Sequence, residues 1–305
     1  MPNLAIICVM HFSDKLAAVI HSKNSCLMLG LDPNWEKLPT SIKTAQTLQA
    51  KADIYEKFCC DMVDVCADKV CGIKIQMGYF EALGSVGVKA VENLIAFTRA
   101  QHPELIIMMD AKRGDIGSTS EAYAQAFLGS DSPLSGDCVT VAPYMGTDSI
   151  KPFLDISKNN AKGLFVLAKT SNPSSKEIQD VAMLSTVHSN LNWTVSKYWA
   201  FLYEELCHLE SLNGGSVYGS HGAVVGATHS EDLKEFRELM PSAWLLCPGV
   251  GAQGGKIEDV LAIRDEDGLD VLIPVSRAVL YAGNQNDYLA KAKEAMEELW
   301  AAQKL

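Results

Sequence analysis

Eight short apolar runs separated by stretches of helical period predict an α/β protein, with eight parallel strands closed into a (β/α)8 TIM barrel. Three observations carry that expectation. The runs are almost continuously apolar, as strands covered on both faces are. The intervals between them repeat apolar residues at three-to-four spacing, as helices with one buried stripe do. Polar residues gather at the carboxyl ends of six of the eight runs, where barrels of this kind keep their active sites. No GxGxxG or GxxxxGK[ST] follows the first run, which argues against an open nucleotide-binding sheet.

In chain order the runs are CLMLGLDP (26–33), VCGIKIQ (70–76), LIIMMDAKRGD (105–115), DCVTVAP (137–143), GLFVLAKTSNP (163–173), AVVGAT (223–228), WLLCPGVG (244–251) and DVLIPVSR (270–277). In 44–66 the helical stripe is Leu48, Tyr55, Phe58, Met62 and Val65; in 84–99 it is Val91, Leu94, Ile95 and Thr98. Ser118-Thr119-Ser120-Glu121 has the spacing of a capping box opening the next helix. The interval 174–222 is about twice as long as the others and carries an aromatic helical segment followed by a Gly/Ser stretch. It reads either as an elaborated loop over the barrel mouth, an oligomer contact, or an extra packed helix with a connector. With no repeat, low-complexity tract or linker, residues 1–305 are expected to form a single domain with an enlarged segment between strands five and six.

Composition narrows the partners. Net charge is −11 and no segment concentrates Lys and Arg, so nucleic acid is not an expected partner. The apolar opening MPNLAIICVM lacks a basic flank and is too short to cross a bilayer, which predicts a cytoplasmic protein with no membrane association. Nine cysteines, an odd number without metal-ligand spacing and mostly in apolar runs, read as free buried thiols. The seven histidines show no HxxxH or HxH, so no metal site is expected.

The chemistry concentrates in 106–119, IIMMDAKRGDIGST. Strand alternation places Asp110 and Lys112 on one face, and such a pair taken out of water must be matched by hydrogen bonds or it destabilises the fold. Asp32, Lys74, Gln76 and Asp115 fall at the same mouth, which a strut made of one ion pair does not explain. Alternating acids and bases in a cleft suit proton delivery to a developing carbanion, or strain against a substrate carboxylate. An amine flanked by carboxylates stays protonated, which counts against a Schiff base. The glycine-rich 249–255 and Arg277 mark a phosphate site after strands seven and eight; in the plainer reading the glycines only make a turn and Arg277 pairs with a surface carboxylate.

Asp110-Ala111-Lys112-Arg113-Gly114-Asp115-Ile116-Gly117-Ser118-Thr119 resembles the DxKxxDIxxT signature of the orotidine 5′-phosphate decarboxylases, in particular their longer-chained group. GLDP (30–33), GIKIQ (72–76), AKTSNP (168–173), GVGAQGG (249–255) and VSRA (275–278) occur in the family's order and extend the resemblance over most of the chain. The resemblance implies decarboxylation of orotidine 5′-monophosphate to UMP, the last step of de novo UMP synthesis, without metal or cofactor and in a homodimer. It implies that Lys112 protonates C6 and that Asp110 destabilises the substrate carboxylate. Lys74 and Asp32 would hold the ribose and the charge array, with Gln76 nearby. Asp115 would complete the array from the partner subunit, with Ile116 and Thr119 contributing across the interface. Ser171 would meet the pyrimidine, and Gln253 and Arg277 the phosphate. The alternatives are a metal-dependent sugar-phosphate decarboxylase or synthase of the same superfamily, a Schiff-base aldolase using Lys112 or Lys169, and a phosphate-ligand-binding barrel without turnover.

Overall fold

A strand forms at every one of the eight apolar runs in the computed structural model, which describes residues 11–183, 193–211, 218–228, 230–251 and 254–304. These are β1 (Leu27–Leu31), β2 (Gly72–Gln76), β3 (Ile106–Arg113), β4 (Cys138–Val141), β5 (Gly163–Lys169), β6 (His221–Val225), β7 (Trp244–Leu246) and β8 (Val271–Val275). Each pairs in parallel with the next, and β8 pairs with β1, so the sheet closes without an edge. The chain forms a (β/α)8 barrel.

Helix α1 (Phe12–Lys23) precedes β1. Between the strands lie α2 (Leu48–Cys66), the short α3 (Met77–Glu81) with α4 (Ser85–Gln101), α5 (Gly117–Leu128), α6 (Thr147–Asn159), α7 (Lys176–Gln179) with α8 (Val195–Ser211), α9 (Ser230–Leu239) and α10 (Ile257–Leu261). Helices α11 (Arg277–Leu280) and α12 (Tyr288–Ala302) follow β8. The stripes read from periodicity face the barrel: Tyr55, Phe58 and Met62 of α2 and Val91, Leu94, Ile95 and Thr98 of α4 are buried. Leu48, at the first position of α2, lies off that stripe and is exposed. The Thr47 hydroxyl starts this helix by accepting from the Ala50 amide at 3.1 Å.

Strand alternation sorts the barrel into an apolar floor and a polar mouth. Ile106 and Met108 of β3, Phe165 of β5, and Trp244 and Leu246 of β7 fill the lower interior as one buried cluster. Two residues beyond Met108 on the same face stands Asp110. The other faces of the strands bury Leu29, Ile73, Ile107 and Val139 in the larger core shared with the helices.

The structure departs from the sequence-based expectation at three elements. Helix α1 was not anticipated; Phe12, Leu16, Val19 and Ile20 belong to the interior cluster, so the helix closes the floor. β6 begins at His221 rather than Ala223, because His221 and Gly222 pair with Leu164 and Phe165. Helix α5 opens at Gly117, one residue before the expected capping box, with Ile116 as its extended N-cap and no side-chain cap bond. In 174–222 the aromatic stretch forms α8, and residues 212–217 of the Gly/Ser stretch lie outside the described residues, as do residues 1–10. Among the described residues no helix is long and apolar enough to cross a membrane, and all eight described cysteines are free thiols.

The floor depends on a close approach. A Cβ on Gly163 would stand 2.5 Å from the Phe12 ring, which itself meets Phe165 edge-on at 6.2 Å. Phe12→Ala should therefore destabilise the fold by about 3–5 kcal/mol. Gly163→Ala should also destabilise, and the double variant Phe12→Leu/Gly163→Ala should cost less than the sum of its parts, because the smaller side chain vacates the space the new methyl needs. Chemical denaturation of the wild type, these three variants and Phe12→Leu alone checks this; strict additivity of Phe12→Leu and Gly163→Ala would contradict the packing.

Candidate active site

The register of β2 against β3 sets Gln76 opposite Asp110 and Lys74 opposite Met108. From there the Lys74 ammonium donates to Asp110 Oδ2 at 2.6 Å, and the Gln76 amide donates to the same oxygen at 2.9 Å. Asp110 Oδ1 accepts from the Thr140 hydroxyl at 2.9 Å and from the Lys112 ammonium. Four donors thus converge on one carboxylate that is only 6% exposed. Asp32 faces the array from the end of β1, its Oδ1 standing 3.8 Å from the Lys74 nitrogen.

Simple alternation predicts Lys112 beside Asp110 as a buried pair. The structure corrects the detail. Between Met109 and Arg113 the pairing of β3 with β4 shifts register, and Lys112 takes a left-handed backbone at φ 47°. Its amide donates to the Thr140 hydroxyl at 3.0 Å. The bulge lifts Lys112 to the rim of the mouth, with its side chain 42% exposed and its ammonium aimed back at Asp110. The buried cation is Lys74, whose side chain is 9% exposed. A non-glycine residue in this region costs on the order of 1–2 kcal/mol.

Electrostatics keep the array charged. Burial alone would raise the Asp110 carboxyl, but the ammonium groups of Lys74 and Lys112 outweigh it and hold the group well below the usual carboxylate range. Burial pushes the Lys74 ammonium the other way, and Asp110 and Asp32 together hold it above the usual lysine range. Both groups are ionised at neutral pH.

Beside the array a cavity of about 360 Å³ is walled by Asp32, Lys74, Tyr79, Gly249, Ser276 and Arg277, among others. Asp32 Oδ1 and Ser276 Oγ are buried in that wall and have no hydrogen-bond partner among the described residues. Gly30 allows this wall to close, since a Cβ there would stand 2.9 Å from the Ser276 Cβ. Arg277 is exposed and forms no ion pair among the described residues, so the alternative of a surface carboxylate partner fails. The glycine loop is less open than its composition suggests. The amides of Gly251 and Gly255 donate to the carbonyls of Gly255 and Gly249 at 2.8 and 3.0 Å, and the Gly254 amide donates to Gly251 at 2.9 Å. Three of its amides are therefore spent on the loop itself, which turns through left-handed conformations at Gly249, Gly251 and Gly254.

The remaining expected residues lie at the rim. Ser171 follows β5 and packs on Gly226 at the end of β6. Asp115 accepts from the Ile116 amide at 2.8 Å and makes no ion pair among the described residues; Ile116 and Thr119 are exposed beside it. Gln253 lies outside the described residues. The sequence reading passed over Thr140, although it is the single hydroxyl at inward parity in the run 137–143, two residues beyond Cys138. It also passed over Tyr281, whose hydroxyl donates to the Asp32 carbonyl at 2.6 Å and accepts from the Asn34 amide at 2.7 Å. Among the described residues no group of three or more His, Cys, Asp or Glu is placed to hold a metal ion.

The family model described as orotidine 5′-phosphate decarboxylase / HUMPS family matches residues 25–292. The chain belongs to that family. An orotidine 5′-phosphate decarboxylase of Rhodopirellula baltica is 38% identical over 294 residues, covering 94% of each chain. One of Dechloromonas aromatica is 38% identical over 291 residues, covering 95% of this chain and 97% of the relative. Among solved structures, that of Leishmania donovani OMP decarboxylase superposes with a TM-score of 0.74 at 30% identity, covering 96% of this chain and 99% of the other. The family signature 110–119 coincides with the bulged strand end and the rim loop after it.

Thr140 is the test of how this family's charge array is held here. Thr140→Val removes a donor to Asp110 and the acceptor for the Lys112 amide at almost constant volume, and should lower stability by about 1–3 kcal/mol. Thr140→Ser should retain most of it. Urea midpoints of the three proteins decide; equal midpoints would show that water replaces the hydroxyl.

Proposed function

We propose that the chain decarboxylates orotidine 5′-monophosphate to UMP and carbon dioxide. The observation that carries this reading is the four-donor Asp110 carboxylate, ionised beside an accessible Lys112 ammonium and next to a cavity lined by Arg277, which forms no ion pair among the described residues. Relatives bearing this activity in their names match over nearly the whole chain.

In the reaction the C6–carboxylate bond breaks, its electron pair remains at C6, and Lys112 donates a proton there and is reprotonated from solvent. Asp110 cannot relieve its charge by protonation at neutral pH, so it opposes the substrate carboxylate in the ground state and loses that opposition as carbon dioxide departs. Lys74 and Asp32 serve the ribose from the cavity wall. Gln76, turned onto Asp110, acts by holding the array rather than by touching the sugar. Ser171 meets the pyrimidine, while Arg277 and Gln253 bind the phosphate, whose binding energy is spent on orienting the reacting ring.

The proposal includes a homodimer in which the partner's Asp115 completes the array. Within one chain Asp115 forms no ion pair among the described residues, and large apolar side chains are exposed at this rim: Ile116 is 57% exposed, and Tyr144 on the next rim loop is 83% exposed. Such a patch beside an unpaired carboxylate supports an interface at this rim, with Ile116 and Thr119 in it. The reading treats 1–305 as one domain, supported by the single closed sheet. A cytoplasmic location belongs to it as well, supported by the free thiols.

Loss of orotidine 5′-monophosphate absorbance, followed with and without EDTA, tests the activity. Turnover that EDTA leaves unchanged is expected; turnover abolished by chelation would favour a metal-dependent member of the same family. Lys112→Ala and Asp115→Ala should each be nearly inactive, and mixing them under subunit exchange should restore activity, since one site per heterodimer keeps both groups. Heterodimers without recovered activity would remove Asp115 from the partner's site.

A further inference from the structure

The segment between β5 and β6 makes contacts at the site that no role above uses. Gln179, at the end of α7, grips Thr170 from both sides of its amide group. Its Oε1 accepts from the Thr170 amide at 2.9 Å, and its Nε2 donates to the Thr170 hydroxyl at 2.8 Å. That hydroxyl in turn donates to Asn172 Oδ1 at 2.7 Å. The next residue, Asp180, pairs with Lys169, whose side chain is 6% exposed at the last position of β5. A buried ammonium needs such a partner, so this pair fixes where α7 sits.

Ser171 is thus bracketed. On one side its neighbours Lys169 and Thr170 are bonded to α7. On the other, the Gly226 amide donates to the Lys169 carbonyl at 2.8 Å, and a Cβ on Gly226 would stand 2.9 Å from the Ser171 Cβ. The base of the clamp is anchored too: the Met183 amide donates to the Trp193 carbonyl at 2.8 Å and the Val195 amide to the Val181 carbonyl at 3.1 Å, tying residues 181–183 beyond α7 to the start of α8. Trp193 there is buried.

We infer that Gln179, seated by the Asp180–Lys169 pair, is a positioning residue that holds Ser171 in place for recognition of the pyrimidine ring. The inference rests on the reading that Ser171 meets that ring. A serine hydroxyl discriminates only when its backbone is fixed, because a hydrogen bond weakens steeply with misalignment. A two-bond amide grip on the preceding residue supplies that fixity without touching the ligand. A segment that merely packs against the barrel would change stability and leave ligand discrimination alone.

The experiment compares calorimetric binding of UMP and of ribose 5-phosphate to the full chain, in Ser171→Ala, Gln179→Met, the double variant and Gln179→Glu. Ser171→Ala and Gln179→Met should each weaken UMP by about tenfold and leave ribose 5-phosphate unchanged. The double variant should be no weaker than either single one, since both remove the same interaction. Gln179→Glu, which keeps an acceptor for the Thr170 amide, should recover most of the loss. If Ser171→Ala binds UMP as the wild type does, the pyrimidine role of Ser171 fails and the inference falls with it. If Ser171→Ala is selective but Gln179→Met is silent, weakens both ligands equally or adds to Ser171→Ala, then Ser171 keeps its role and the clamp is wrong. Asp180→Asn, which loosens α7 without touching Gln179, should give the same selective loss; a loss shared equally by the two ligands would overturn the inference even if Gln179→Met failed to fold.

Discussion

The mouth of this barrel depends on one buried carboxylate. Asp110 accepts from Lys74, Gln76, Lys112 and Thr140, and those four side chains come from three different strands. Each bond has a structural consequence beyond itself. The Lys74 bond fixes a buried cation over the cavity, and the Thr140 hydroxyl also holds the backbone of the bulge. The Lys112 bond aims an exposed ammonium across the entrance. Taking the carboxylate away would leave a buried ammonium at Lys74 with, among the described residues, only Asp32 as an ionic partner, at 3.8 Å. This constraint explains why a left-handed lysine is tolerated in a strand, since the surrounding bonds over-determine its position.

Layering makes such a costly array possible. The floor is apolar and sealed by α1, so stability comes from close packing well below the chemistry. The polar groups sit one layer higher, where water and ligand still reach them through Lys112 and the cavity. Stability and reactivity are separated along the barrel axis rather than competing in the same shell. The net charge of −11 gives no help in attracting an anionic ligand, so the local cations matter more. Among the described residues Arg277 forms no ion pair, and Lys74 and Lys112 share one carboxylate. In the glycine loop across the cavity the amides of Gly251, Gly254 and Gly255 are spent on the loop's own carbonyls, so these three contribute shape.

The segment between β5 and β6 shows how an addition to the fold can acquire a role without entering the site. Its helix α8 packs on the barrel, with Ala200 and Tyr203 buried and the Tyr203 hydroxyl donating to the Leu164 carbonyl at 3.0 Å. Its short α7 instead reaches the strand end through Gln179 and Asp180. The same insertion therefore both covers the barrel wall and braces one loop of the mouth.

What the sequence by itself determined is the part governed by local periodicity and by the chemical type of residues at strand ends. Near-continuous apolar runs located all eight strands, because a strand buried on both faces carries few polar residues away from the mouth. For the same reason Asp32, Lys74, Gln76, Asp110 and Arg277 stood out as mouth residues. Tertiary structure decided the rest. The bulge at Lys112 arises from pairing with β4, and no property of 106–115 alone reveals it. Thr140 became a hub because it faces Asp110 across a strand pair, and the sequence shows only a threonine in an apolar run. Helix α1 was missed because its apolar residues acquire meaning only from the open end of a barrel they plug. The latch of Gln179 and Asp180 onto β5 likewise joins residues whose relation is set by where the chain returns, a property of the whole fold rather than of any stretch.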